Sequence, residues 1–402
     1  MMQTKIILAA TALVALGAVS AAAQSDGPVK IGVLNDMAGL YADLGGKASV
    51  VAAEMAAEDA GLVLGKKVEV ISADHQNKPD VGSSMARQWY DQDGVDLIID
   101  IPTSSVALAV NEVSREKKKI VIFTGPASSD LTGPKCNAYS AHWAYDTYAL
   151  AHVTGSAVVK SGGDTWFFVT ADYAFGHALE RDTAEVVKAA GGKVLGDVQV
   201  PINTADFSSY LLQAQASKAK IIGLANAGAD TVNSIKQGAE FGIVEGGQKF
   251  AALLVFITDV HSLGLKAAQG LQLTSPFYWD MNDETRAFSK RFADRVGHPP
   301  SLDHAGVYSG AAHYLKAVKA IGTKDPDKVM AQMRAMPIND FMTKNGKLRE
   351  DGRVIRDMYL FQVKKPSESK APWDYYKLIE TVPGDQAFRP IDKGDCPLVK
   401  KN

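Results

Sequence analysis

Cysteine is scarce in this chain, 2 in 402 residues, which excludes a scaffold held together by many disulfides. With no CxxC, no HExxH and 8 scattered histidines, no metal-ligand spacing appears, and neither metal nor cofactor is expected. Blocks of one charge sign are also missing. The formal net charge is -2, and no Lys/Arg stripe interleaved with aromatics offers a footprint for nucleic acid, which is therefore not an expected partner. Past the first two dozen residues, no apolar run approaches the roughly 20 residues that cross a bilayer. There is no GxSxG elbow. His142, His177, His261 and His304 have no evident nucleophile pairing, so loop or packing roles fit them better than catalysis. No enzyme is expected.

What is present begins with an address. Lys5 precedes an apolar run from Ile6 to Val19 that closes on Ala21-Ala22-Ala23, the small-x-small pattern of a signal-peptidase site. Residues 1–23 read as a secretory leader, with the mature chain starting near Gln24 in the periplasm. No cysteine stands near the cleavage point for lipid attachment, so the mature protein should be free; a monomer is expected. About 380 residues remain, enough for two domains of ordinary size. In an oxidising compartment an even cysteine pair favours a bridge over two free thiols, and Cys136 is expected to bond Cys396.

Apolar runs of strand length alternate with helical patterns, the mark of βαβ units around a parallel sheet. Strands are expected at 29–34, 68–73, 97–100 and 120–123, with helices at 47–60, 81–90 and 105–115. The pattern then restarts. Strands at 166–170, 193–200, 221–225 and 250–254 alternate with helices at 177–190, 207–217 and 231–241. After a strand at 271–275, helices at 283–295, 304–320 and 325–333 look like a return to the first unit. Strands at 359–363 and 375–380, joined by a polar hairpin loop at 364–370, would be late strands of the second. The fold class is α/β, with two doubly wound, Rossmann-like lobes.

Ligands of such sheets bind beyond the carboxyl ends of the strands, so the loops there carry the chemistry. Thr103, Ser104 and Ser105 follow the third strand and open a helix. They read either as ordinary N-caps or, with the helix-start amides, as an anion site suited to a carboxylate. Thr124 to Ser129 supplies a second donor loop at the same sheet edge. The loop Gly39 to Gly46 lacks the GxGxxG and GxxxxGK[ST] spacings of phosphate binders and suits an aromatic-bearing rim. In the second unit Tyr173 and Phe175 follow a strand, as do Asn226 to Ala229 and Phe256 to Asp259. Aromatics there could grip a flat or apolar ligand.

From Val29 to about Val363 the order of segments resembles the periplasmic leucine/isoleucine/valine-binding family. The resemblance is carried by the Lys30-Ile-Gly-Val strand, the Gly39-Leu-Tyr-Ala-Asp-Leu-Gly loop, Thr103-Ser104-Ser105, Asp172-Tyr-Ala-Phe-Gly, Asn233 to Gln237, Ala305-Gly-Val-Tyr308, and Gly346-Lys-Leu leading to Asp351-Gly352. It implies two lobes joined by three crossovers that close on a small molecule and deliver it to an inner-membrane ABC permease and its ATPase. The expected lobes are 24–143 plus 277–352 and 144–276 plus 353–383, with 384–402 a tail returning to the first.

The resemblance places ligand contacts on Tyr41, Leu44, Thr103, Ser104, Ser105, Pro126, Ala127, Ser128, Tyr173, Phe175, Gly228, Phe256 and Tyr308. Leu44 stands where branched-chain amino acid binders have tryptophan, and Phe175 where they stack a tyrosine. Phe256 stands where they have the acid that meets an ammonium, with Asp259 left open as that acid. Gly228, near which a tyrosine of that family's pocket is replaced, should enlarge the site. Together these suggest a carboxylate with an aromatic or bulky apolar body and no amino group. A branched-chain or other hydrophobic amino acid, or a sensor that presents its ligand to a receptor, are the alternatives.

Overall fold

The computed structural model describes residues 27–400, so the expected leader at 1–23 lies outside the described residues. The first unit runs β1 (Lys30–Asn35), α1 (Gly46–Ala60), a small hairpin of β2 (Leu62–Val63) and β3 (Lys66–Lys67), β4 (Glu69–Asp74), α2 (Pro79–Asp91), β5 (Leu97–Asp100), α3 (Ser104–Lys117), β6 (Ile120–Phe123) and β7 (Ser140–His142). Its sheet is parallel throughout, in the order β4-β1-β5-β6-β7. The sequences of β5 and β6, Leu-Ile-Ile-Asp and Ile-Val-Ile-Phe, are buried at every position, as strands covered by helices on both faces must be.

The chain then crosses into a second unit through a helix whose middle, Ala151–Gly155, is a π turn between α4 (Thr147–Leu150) and α5 (Ser156–Lys160). There β8 (Thr165–Ala171), α6 (Ala174–Ala189), β9 (Lys193–Val200), α7 (Ser208–Ala216), β10 (Ile221–Ala225), α8 (Ala229–Glu240), β11 (Lys249–Ala252), α9 (Ile257–Leu263) and α10 (Leu265–Ala268) repeat the plan. The parallel order is β11-β10-β8-β9. In each sheet the first strand of its unit lies between the second and the third, so the switch points, β1/β5 and β8/β10, correspond.

After β12 (Gln272–Ser275) the chain returns to the first unit with α11 (Asp283–Val296), α12 (Leu302–Ile321) and α13 (Pro326–Ala335). Arg291 and Arg295 on α11 pair with Asp59 and Glu58 at the end of α1. A hairpin of β13 (Lys347–Leu348) and β14 (Val354–Ile355) precedes the third crossing, to β15 (Met358–Val363) and β16 (Tyr376–Val382); α14 (Gly384–Ala387) follows. These late strands do not extend the second parallel sheet. They pair with β12 in an antiparallel sheet of their own, β12-β15-β16. That sheet packs Leu273, Phe361, Val363 and Tyr376 into the core that also holds Val169, Ile222 and Leu224.

The tail closes onto the first unit through Cys136–Cys396, whose Cα atoms are 5.6 Å apart. On its way Arg389 reaches Asp182 of α6 at 2.9 Å and covers the Tyr148 ring at 4.5 Å. The tail therefore touches both units.

Candidate functional site

The carboxyl ends of the two sheets face each other, and the loops leaving β1, β5, β6, β8, β10 and β11 close tightly around a space of about 10 Å³. A larger, open groove beside Glu58, Leu62 and Val70 lies at the end of α1 and along the edge strand β4, away from the strands' carboxyl ends. From the first lobe the enclosed space receives Tyr41, Leu44, Pro102, Gly125 and Ala127, and from the second Tyr173, Phe175, Ala227, Leu254 and Phe256. Tyr145, on the first crossing, completes the wall. None of these side chains carries a charge at neutral pH. Burial holds the phenols of Tyr41, Tyr145 and Tyr173 above their ordinary value, so they stay protonated.

The rim is shut by one polar contact, with the Tyr41 hydroxyl 2.5 Å from that of Tyr173. Tyr173 is placed by the start of α6, where it is the extended residue before the first turn, and its ring leans on Phe175 with centroids 5.8 Å apart. Phe256 occupies the same position before α9 and meets Tyr145 edge-on at 6.3 Å. The carboxylate of Asp259 turns back and accepts the Phe256 amide at 2.8 Å. Burial pushes its pKa up to about 7. Phe256, not Asp259, faces the cavity.

On the first-lobe side the two hydroxyl-bearing loops converge. The Ser104 hydroxyl accepts the amides of Ala127 and Ser128 at 3.3 and 3.2 Å. Thr103 precedes the first turn of α3 without capping it; its hydroxyl donates to Asn77 instead. The helix-start amides of α3 thus meet no side-chain cap, the arrangement that suits an anion. Thr103, Ser104 and Ser128 are buried behind the wall and Ser105 is partly exposed. Pro126 does not face the cavity. Its carbonyl takes a hydrogen bond from His142 Nε2 at 2.7 Å and so anchors the loop.

Two further expected contacts fall elsewhere. Tyr308 lies on α12 against Phe288 and Phe341, its hydroxyl donating to Asp59 at 2.7 Å, and is no part of the cavity wall. Gly228 does not enlarge the site either. The space a side chain would need there is filled from the opposite lobe, since an added Cβ would sit 2.9 Å from the Leu40 carbonyl and 3.2 Å from the Tyr41 ring. Conversely, Tyr145 and Leu254 were not expected, and Pro102, Gly125 and Ala227 were not singled out within the candidate loops that hold them. Tyr145 follows β7, a three-residue strand whose sequence, Ser-Ala-His, carries almost no apolar signal; recognising that strand would have pointed to the residues after it.

Residues 28–370 match the family model described as periplasmic binding protein. A periplasmic binding protein of Burkholderia mallei is 55% identical, with a TM-score of 0.92 over 93% of this chain and 99% of that one. A branched chain amino acid ABC transporter periplasmic ligand-binding protein of Burkholderia xenovorans is 43% identical, with a TM-score of 0.82 over 92% of this chain and 99% of that one. A solute binding protein of an ABC transporter from R. palustris, solved in complex with benzoate, shares the fold at 20% identity, with a TM-score of 0.80 over 89% and 97% of the two chains. This chain belongs to the periplasmic binding protein family, in its branched-chain amino acid ABC transporter class, whose members bind solutes and are not enzymes.

Proposed function

We propose that the mature chain, beginning near Gln24, captures a small carboxylate with an aromatic or apolar body between its lobes and delivers it to an inner-membrane permease driven by an ATPase. The observation that carries this reading is the asymmetry of the cavity. One wall backs onto the Ser104 hydroxyl, which the Ala127 and Ser128 amides hold with its own proton left to donate, and onto the uncapped start of α3, suited to charge-assisted bonds with one carboxylate. The facing wall is Tyr173, Phe175, Leu254 and Phe256, suited to an apolar or flat body.

A buried ammonium would need a counter-charge, and the cavity wall supplies none; Asp259 spends its carboxylate on the Phe256 amide. The shared fold holds benzoate in the R. palustris protein, which fits the same chemistry. An amino acid is the second reading, favoured by the Burkholderia xenovorans relative's branched-chain description. A thermal-shift screen of benzoate, hydroxybenzoates, phenylacetate and branched aliphatic acids against leucine, valine and phenylalanine decides between them. Stabilisation by acids alone supports the proposal, and stabilisation by amino acids alone overturns it.

A further inference from the structure

Behind the first-lobe wall lie two carboxyl groups that the binding account does not use. Asp100 ends β5 and Asp303 sits in the first turn of α12, and both are fully buried. Asp100 accepts from Asn35 Nδ2 and, at 3.1 Å, from Thr124 Oγ1. Neither oxygen of Asp303 makes a hydrogen bond of good geometry; what it faces are the Asp100 carboxyl and the Thr124 hydroxyl. Two buried carboxylates repel, and the contact becomes attractive only when one of them holds a proton. The groups packed around the pair are Asn35 of β1, Ser49 of α1, Thr124 after β6 and the Tyr145 phenol. None of these is cationic. Burial pushes Asp100 up to about 6 and Asp303 well above the carboxylate range, the Asp100 charge adding to the latter.

The pair touches the wall of the cavity. A Cβ at Gly125 would lie 2.9 Å from Asp100 Oδ1 and 2.8 Å from the Pro102 Cα, and one at Gly45 would lie 2.9 Å from Asp303 Oδ2. Asp100 and Ile101 hold φ values of 90° and 62°, a left-handed backbone that a β-branched residue adopts only when its surroundings impose it. Those two strained residues aim Pro102 and Thr103 at the site.

We propose that Asp303 is a neutral carboxylic acid that donates its proton to Asp100, and that this bond positions the 101–105 and 125–128 loops for the ligand. The inference deepens the carboxylate-binding reading and rests on it for the ligand, while the proton itself is measurable without any ligand.

At pH 8 the infrared spectrum of the wild-type protein should contain a protonated-carboxyl C=O band that is missing from Asp303→Asn. Asp100→Asn should also lose it, because the new amide can donate to an ionised Asp303. A band absent from the wild type, or kept in both variants, overturns the shared proton. Amide hydrogen exchange in the 101–105 and 125–128 loops should be unchanged in Asp303→Asn, which still donates, and faster in Asp303→Ala. Should Asp303→Ala not fold, Asp303→Ser replaces it. With benzoate as probe, Asp303→Asn should bind within about threefold of wild type and Asp303→Ala about tenfold more weakly. Equal exchange and equal affinity in all three would leave the pair no positioning role. If no acid binds the wild type at all, the functional reading fails, and the infrared and exchange results still decide this one.

Discussion

The hydroxyls of Tyr41 and Tyr173, one from each lobe, meet at 2.5 Å over the mouth of the cavity. It is a bond that only the closed arrangement can make. Each ring also forms part of the wall, so removing one hydroxyl leaves the packing in place and subtracts only the latch. Tyr173→Phe should weaken ligand binding by about 0.5–1.5 kcal/mol, roughly three- to tenfold. Calorimetry measures the affinity, and small-angle scattering at saturation should still show the compact form. An unchanged affinity would mean that the contact contributes nothing to closure.

Gly228 lets that latch form. It holds φ 60° and ψ -136° at the start of α8, a region essentially reserved for glycine, and the Leu40 carbonyl comes within 2.9 Å of where its Cβ would be. Gly228→Ala combines about 1–3 kcal/mol of backbone strain with an obstruction to closure. Affinity should fall by about tenfold or more, and the radius of gyration with ligand should remain near the open value. A variant that closes and binds like the wild type contradicts this account of the glycine.

The Cys136–Cys396 bridge spans 260 residues of chain and sits at the end of a tail that touches both lobes. Replacing both cysteines with serine should cost about 2–5 kcal/mol of stability, read in denaturant titration. Ligand affinity should change little, because neither residue nears the cavity. A double variant as stable as the oxidised wild type would show that the tail is held by Arg389 and its neighbours instead.

Asp259 offers a pH test with a definite sign. Its folded pKa, about 7, is raised above the ordinary carboxyl value, so the folded state holds the extra proton. That contribution is complete below the unfolded pKa and is lost as pH rises through about 7. Buried His75 and His304, pushed down to about 4 and about 3, act oppositely. Their contribution is present above the ordinary histidine value and is lost as pH falls through the folded values. Asp259→Asn, whose amide oxygen can still accept the Phe256 amide, should therefore gain melting temperature over the wild type as pH rises from about 4 to about 7, hold that gain above 7, and match the wild type in the loss at lower pH. Parallel melting curves across that range would show that Asp259 is ionised throughout.

Much of this was legible in the sequence because burial on both faces writes continuous apolar runs. Leu97–Asp100, Ile120–Phe123 and Ile221–Ala225 are such strands, with the expected bounds. The carboxyl ends of β5, β6, β8 and β11 led to Ser104, Ala127, Tyr173 and Phe256. What failed had little local signal. β7 is three residues long, so Tyr145 was missed. The helix Ile257–Leu263 went unrecognised, since seven residues are too few for a clear period. Pairing partners of β15 and β16 are set by tertiary packing, which no alternation encodes. Gly228 was read as vacant space because the sequence cannot say that Leu40 and Tyr41 arrive from the other lobe to fill it.

Calorimetry with a matched pair, 3-phenylpropanoate and phenylalanine, which share a carboxylate and an aromatic body and differ by the amino group, tests the central claim most directly. The account predicts that the acid binds and the amino acid binds at least about tenfold more weakly, because the ammonium would be buried against Phe256 without a counter-charge. Tighter binding of phenylalanine, or of leucine over 4-methylpentanoate, would contradict it and assign Asp259 the role of ammonium partner.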